Sequence, residues 1–155
     1  MKQILLWLSV LLLLTGCTNP MASNATEQNG VTIAILDTGI STIAIDSRHL
    51  LPGYNYVTGS RDTEDRINHG TAAASIIVGC ESAGITGLAP EALLVPLVVT
   101  DKVDGKITGV SPKVLASAIR DAVDVYGADI INVSLGIKKD DPAVKEAVAY
   151  VQAQG

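Results

Sequence analysis

The sequence contains no phenylalanine, and Trp and Tyr together make up only 3% of its 155 residues. A core built on aromatic stacking is excluded, and aliphatic side chains must fill the interior. Cysteine is scarce. Cys17 and Cys80 cannot staple a disulfide scaffold. Two histidines and two cysteines, with no pair at ligand spacing, leave little material for a zinc site. Basic residues are short too, 11 Lys and Arg against 16 Asp and Glu, for a formal net charge of −5. Nucleic acid is therefore not an expected partner, because phosphate contact needs a basic face. What the chain has in quantity is aliphatic. Hydrophobic residues make up 48% and charged residues 17%, a composition that buries a core. The length suits one domain.

The only long apolar run lies at the start. After Lys2, residues 4–14 are apolar except for Ser9. The run is short for a membrane-spanning helix and suits the apolar region of a signal peptide. Leu14-Thr15-Gly16-Cys17 resembles a bacterial lipobox, in which the leader is cut before the cysteine and its sulfur carries diacylglycerol. Residues 1–16 are thus expected to be a lipoprotein signal peptide, with Cys17 the lipidation site and residues 17–30 a polar, turn-rich tether. The expected location is the extracytoplasmic side of a bacterial membrane, held by the lipid anchor.

From residue 31 the chain alternates between two patterns. Val31–Leu36, Leu93–Val99 and Asp129–Val133 are apolar, β-branched runs of strand length, as in strands buried on both faces. A helix is expected from about His69 to Val78, closed by Gly79. Ser111-Pro112 and Asp141-Pro142 each pair an N-cap residue with proline at the first helical position. Val114, Leu115, Ala118, Ile119 and Val123 recur at helical spacing before Gly127, and Val144, Ala147, Val148 and Val151 before Gly155. The alternation predicts an α/β fold, a mostly parallel sheet with helices on both sides in a three-layer sandwich.

Asp37 closes the first apolar strand, at the sheet edge where sites form. His69-Gly70-Thr71 opens a helix. An aspartate and a histidine at one sheet edge are two parts of an acyl-transfer triad. Asp37-Thr38-Gly39 also matches the short signature of aspartic proteases, but those enzymes are built of β-strands, and the capped helices and the His-Gly-Thr motif argue against that assignment. His49 has no matching neighbourhood and is expected in a loop or at the surface. Asp62, Glu64 and Asp65 are expected in a solvated loop just before His69, a position that allows a preference for basic substrate residues. Cys80 reads as a small, buried or half-buried thiol, and Tyr54 and Tyr56 as core or rim aromatics.

Four segments resemble motifs of the subtilisin-like serine proteases, in order and at similar spacing. They are Val31–Ser41 (VTIAILDTGIS), Asn68–Gly79 (NHGTAAASIIVG), Gly87–Pro90 (GLAP) and Ala128–Gly136 (ADIINVSLG). The resemblance covers residues 31–155. It implies a subtilisin-like fold, with Asp37 and His69 catalytic and Ser134, Leu135 and Gly136 pairing by backbone with a peptide or protein substrate. The Asp104-Gly105-Lys106 turn would lie on the opposite wall of the cleft. The resemblance also implies weak calcium candidates in Asp46 and Glu81; no cofactor is otherwise required. Ala72 stands where many relatives have a second histidine. The family's Gly-Thr-Ser-x-Ala nucleophile motif does not occur in these residues. The expected function is that of a membrane-anchored serine endopeptidase, with residues 31–155 the N-terminal portion of its domain, ending before the oxyanion strand and the nucleophile helix. The alternative is an inactive, truncated lipoprotein that binds peptides or a partner without cutting.

Overall fold

The computed structural model describes residues 30–137 and 139–155. The signal-like segment, Cys17 and the tether up to residue 29 lie outside the described residues. In chain order the elements are β1 (Thr32–Asp37), β2 (Tyr54–Asn55), α1 (His69–Val78), β3 (Gly79–Cys80), β4 (Ile85–Thr86), β5 (Leu93–Val98), β6 (Lys102–Val103), β7 (Lys106–Ile107), α2 (Pro112–Asp124), β8 (Ile130–Val133) and α3 (Pro142–Gln152).

The main sheet has the order β2-β5-β1-β8, and all its pairings are parallel. Thr32 to Asp37 lie opposite Leu93 to Val98 on one side, and Ile33 to Leu36 opposite Ile130 to Val133 on the other. Side chains alternate between the two faces. Ile33, Ile35 and Leu94 pack against Ala74 and Val78 of α1 and against Ile40 and Ile45. Ala34, Leu36, Val95 and Leu97 pack against Leu115, Ala118, Ile119 and Ala122 of α2 and Ala147 of α3. The expected three layers are therefore present. Burial on both faces is why β1 and β5 read as unbroken apolar runs. β8 corrects the same expectation for its own run: it ends the described sheet, with Ile130 and Val133 exposed. β5 includes Pro96, whose carbonyl faces Gly53. A Cβ on Gly53 would sit 1.9 Å from it, so only glycine fits against that strand.

Helix starts match the sequence signals better than helix ends. Asp141 caps α3, its carboxylate accepting the Ala143 N–H at 2.9 Å. Ser111 occupies the N-cap of α2, but its side chain makes no capping bond. α2 ends at Asp124 and α3 at Gln152, short of Gly127 and Gly155. Gly127, at φ 60°, shapes the turn beyond instead.

His49 lies in the connection between β1 and β2, as expected of a loop histidine, but not at the surface. It ends a 3-10 turn, Ser47–His49, and is buried. Its Nδ1 lies 3.1 Å from the Ala92 carbonyl, and its Nε2 accepts from Arg48 Nε at 3.1 Å. Tyr54 and Tyr56 meet edge to face, ring centroids 5.0 Å apart. Tyr56 donates to Asp121 at 2.8 Å. Burial first, then that bond, pushes its phenol well above the usual tyrosine value. Among the described residues, no helix is long and apolar enough to cross a membrane.

Candidate active site

Asp37 is the last residue of β1, and its side chain is fully buried. Its Oδ1 accepts the backbone N–H of Thr38 at 2.7 Å. His69 is the first residue of α1, on the far side of a tight junction between strand end and helix start. Its Nδ1 lies 2.7 Å from Asp37 Oδ1 and 2.9 Å from Oδ2. Both facing atoms are carboxylate oxygens, so the neutral ring that suits this geometry carries its proton on Nδ1 and leaves Nε2 as the acceptor. The His69 side chain is 52% exposed against 0% for Asp37. One edge of the imidazole is anchored on a buried charge, and the ring is open to an incoming group. That arrangement suits a general base oriented by a carboxylate.

Glycines make the approach close. A Cβ on Gly70 would stand 2.2 Å from the Gly39 carbonyl oxygen and 3.0 Å from Asp37 Cβ. Gly39 adopts φ 109°, a left-handed conformation that other residues resist. Gly70 lets the helix start touch the strand end, and Gly39 lets the chain turn away from it.

Asp65 corrects the expectation of a solvated carboxylate. It is buried, and five donors converge on it. Oδ1 accepts from Thr38 Oγ1 and from the N–H groups of Ile67 and Asn68, each at 2.8 Å. Oδ2 accepts from the Thr71 N–H at 2.9 Å and from its hydroxyl at 2.7 Å. Burial alone would push this carboxyl up. The bonds from Thr71, Ile67 and Thr38 outweigh it and hold the carboxyl below the usual aspartate value. Sequence reasoning missed this residue because an aspartate between charged neighbours looks like any solvated loop. A hydroxyl after Asp37 and another after His69-Gly70 were the available signal.

The two remaining acidic residues of the loop are engaged as well. Asp62 is exposed and pairs with Arg66, whose hydrogen bond holds the carboxyl below its usual value. Arg66 also reaches the buried Asp101 at 3.4 Å. Glu64 accepts from the N–H and hydroxyl of Thr42 at 3.3 and 3.2 Å. The loop's charge is largely spent on internal partners.

Ser134, Leu135 and Gly136 follow the end of β8. The pairing of Leu36 with Val133 brings them to the same sheet edge as Asp37. Ser134 and Gly136 are exposed and Leu135 is half-buried. The Asp104-Gly105 turn joins β6 and β7 as an exposed hairpin with both residues at positive φ.

Asp46 and Glu81 line a different region, a surface cavity of about 810 Å3 also bordered by His49 and Cys80. Asp46 caps the 3-10 turn through the Arg48 N–H at 2.9 Å, and its other oxygen lies 3.5 Å from Arg48 Nε. Calcium takes six to eight oxygens. These two carboxylates, one already paired with a guanidinium, do not by themselves make such a shell. No cluster of three or more His, Cys, Asp or Glu suited to a metal occurs among the described residues. The Cys80 thiol is buried and donates to the Ala44 carbonyl at 3.3 Å.

Residues 28–155 match the model of the subtilase family, peptidase S8. Thermitase of Thermoactinomyces vulgaris is 31% identical over 139 residues, which take in 88% of this chain and 48% of that protein. The major intracellular serine protease of Bacillus subtilis (strain 168) is 32% identical over 141 residues, 87% of this chain and 43% of that one. The solved structure of the S41 psychrophilic protease superposes with a TM-score of 0.67 at 29% identity, over 83% of this chain and 44% of that chain. The chain spans about half the length, or less, of the curated relatives it matches.

Proposed function

The chain belongs to the subtilase family of serine proteases, and from that premise we propose that it works as part of an endopeptidase, with Asp37 and His69 as two members of an Asp-His-Ser triad. The observation that carries this reading is the pair itself, a buried carboxylate 2.7 Å from the Nδ1 of a half-exposed imidazole. Asp37 fixes the tautomer and stabilises the imidazolium that forms. His69 Nε2 takes the proton of the attacking serine and returns it to the leaving amine. No Gly-Thr-Ser-x-Ala motif lies within these 155 residues, and in this proposal the serine is not one of them. Ser134, Leu135 and Gly136 offer backbone groups to an extended peptide, in keeping with their exposure at the Asp37 edge.

The same proposal places the protein on the outer face of a bacterial membrane. Its support is the sequence alone, the apolar leader ending in Leu14-Thr15-Gly16-Cys17. Lipid labelling of the protein and its loss in Cys17→Ser test that part by itself.

The activity is tested by hydrolysis of a chromogenic peptide anilide by the protein expressed from its complete reading frame, beside its His69→Ala variant. A drop of about 10⁴-fold or more in turnover supports the assignment. Turnover that survives the substitution, or a folded parent that neither hydrolyses peptide nor reacts with an organophosphonate, overturns it.

A further inference from the structure

An α-helix leaves its first N–H groups without partners inside the helix. At the start of α1, Asn68 stands in the N-cap position but adopts φ 70° and makes no side-chain cap. The caps come from elsewhere. The Gly70 N–H donates to Thr38 Oγ1 at 2.9 Å, and the Thr71 N–H donates to Asp65 Oδ2 at 2.9 Å. Thr38 in turn donates its hydroxyl hydrogen to Asp65 Oδ1 at 2.8 Å and its backbone N–H to Asp37 Oδ1 at 2.7 Å. The bonds close a ring from Asp37 to Thr38, on to Asp65 and the first turn of α1, and back through His69 to Asp37. The turn after Asp37 joins it too, since the Ser41 N–H donates to Thr71 Oγ1 at 3.0 Å.

We propose that Asp65 is a positioning residue for the Asp37–His69 pair, its buried carboxylate tying the strand end that carries one to the helix start that carries the other. Asp65 touches neither side chain of the pair and acts through Thr38 and Thr71. The half-exposed His69 ring is not gripped on all sides by packing, so its placement depends on how firmly the first turn of α1 is held. The group must be a carboxylate. Five donors meet its two oxygens, and an amide would replace one acceptor with a donor facing other donors. Asparagine is therefore not a conservative replacement here, whereas serine in place of Thr38 keeps the hydroxyl that both bonds use.

This inference rests on Asp37 and His69 being the acid–base pair, and the experiment separates the two ideas. The full chain is labelled with ¹⁵N, and the His69 Nδ1 proton is followed by NMR in the parent and in Asp37→Asn, Asp65→Asn, Thr38→Val and Thr38→Ser. His49, outside the network and bonded to Ala92, reports whether the fold is intact. The parent is expected to show a downfield Nδ1 proton that Asp37→Asn removes. Asp65→Asn and Thr38→Val should speed its exchange with water by about tenfold or erase it, with the His49 signals in place. Thr38→Ser should restore the parental signal. An unchanged Nδ1 proton in folded Asp65→Asn and Thr38→Val overturns the positioning role while leaving the pair standing. If Asp65→Asn does not fold, the contrast between Thr38→Val and Thr38→Ser decides, and equal behaviour of those two overturns the role. A downfield proton that survives Asp37→Asn removes the pair, and the inference with it.

Discussion

Gly70→Ala tests the junction between strand and helix with a single methyl group. The new Cβ would lie 2.2 Å from the Gly39 oxygen and 3.0 Å from Asp37 Cβ. Both neighbours belong to the segment that places Asp37, and the Gly39 oxygen is backbone, with no rotamer to turn aside. Relief requires the first turn of α1 to move from the 37–39 segment by about 1 Å, judged against ordinary carbon contact distances near 3.5 Å. Overpacking of this kind costs about 1–3 kcal/mol. At about 4 °C per kcal/mol for a domain of this size, melting should fall by roughly 4–12 °C. The effect on turnover should be larger than stability alone implies, because a 1 Å misplacement of a reacting group costs about 100-fold. Gly109→Ala is the matched control. Nothing lies within 4 Å of its new methyl and its φ is not positive, so that substitution should be neutral or raise stability by up to about 1 kcal/mol. The assay is thermal unfolding by circular dichroism together with peptide hydrolysis by the protein from its complete reading frame. Melting and turnover in Gly70→Ala equal to those of Gly109→Ala would refute the steric argument.

Three further expectations follow from the fold and the buried ionisable groups. Asp65 titrates lower folded than unfolded, so its contribution is present above the unfolded value near 3.9 and is lost as pH falls through the folded one; between pH 6 and 2, urea midpoints should fall more steeply for the parent than for Asp65→Ala. Tyr56 titrates higher folded than unfolded, so its contribution is complete below about pH 10 and is lost as pH rises beyond it; between pH 9 and 11 the parent should lose more stability than Tyr56→Phe. Leu36→Ala empties a fully buried site between β1 and α2 and should cost about 2–5 kcal/mol in equilibrium unfolding.

The elements that could be read from sequence are those whose signals are local. β1 announces itself by five consecutive apolar or β-branched residues, Thr32–Leu36, followed by Asp37, and α2 and α3 by proline at N1. Asp37 and His69 were legible because each sits at a boundary between elements, one at a strand end and one at a helix start. Asp65 was not, since its meaning depends on Thr38, 27 residues away. His49 was not, since its partner Ala92 is 43 residues away. β2, β3, β4, β6 and β7 are two residues long, too short for alternation to show. Asp129, expected as the first residue of a strand, instead spends its carboxylate on the Thr32 N–H at 2.8 Å. Helix ends misled for a different reason: α2 and α3 stop before their glycines because nothing in the sequence says how many turns the sheet needs covered.

The sheet order has a consequence for how the chain comes to its shape in time. β1 is made first yet lies between two strands made much later, and Asp129, whose carboxylate takes the Thr32 N–H, is 97 residues downstream. At ribosomal speeds of about 5–20 residues per second, the central strand waits roughly 5–20 s for its second neighbour. Until then its apolar run has no lasting place to go, and pairings of such high sequence separation are slow to close even once both partners exist.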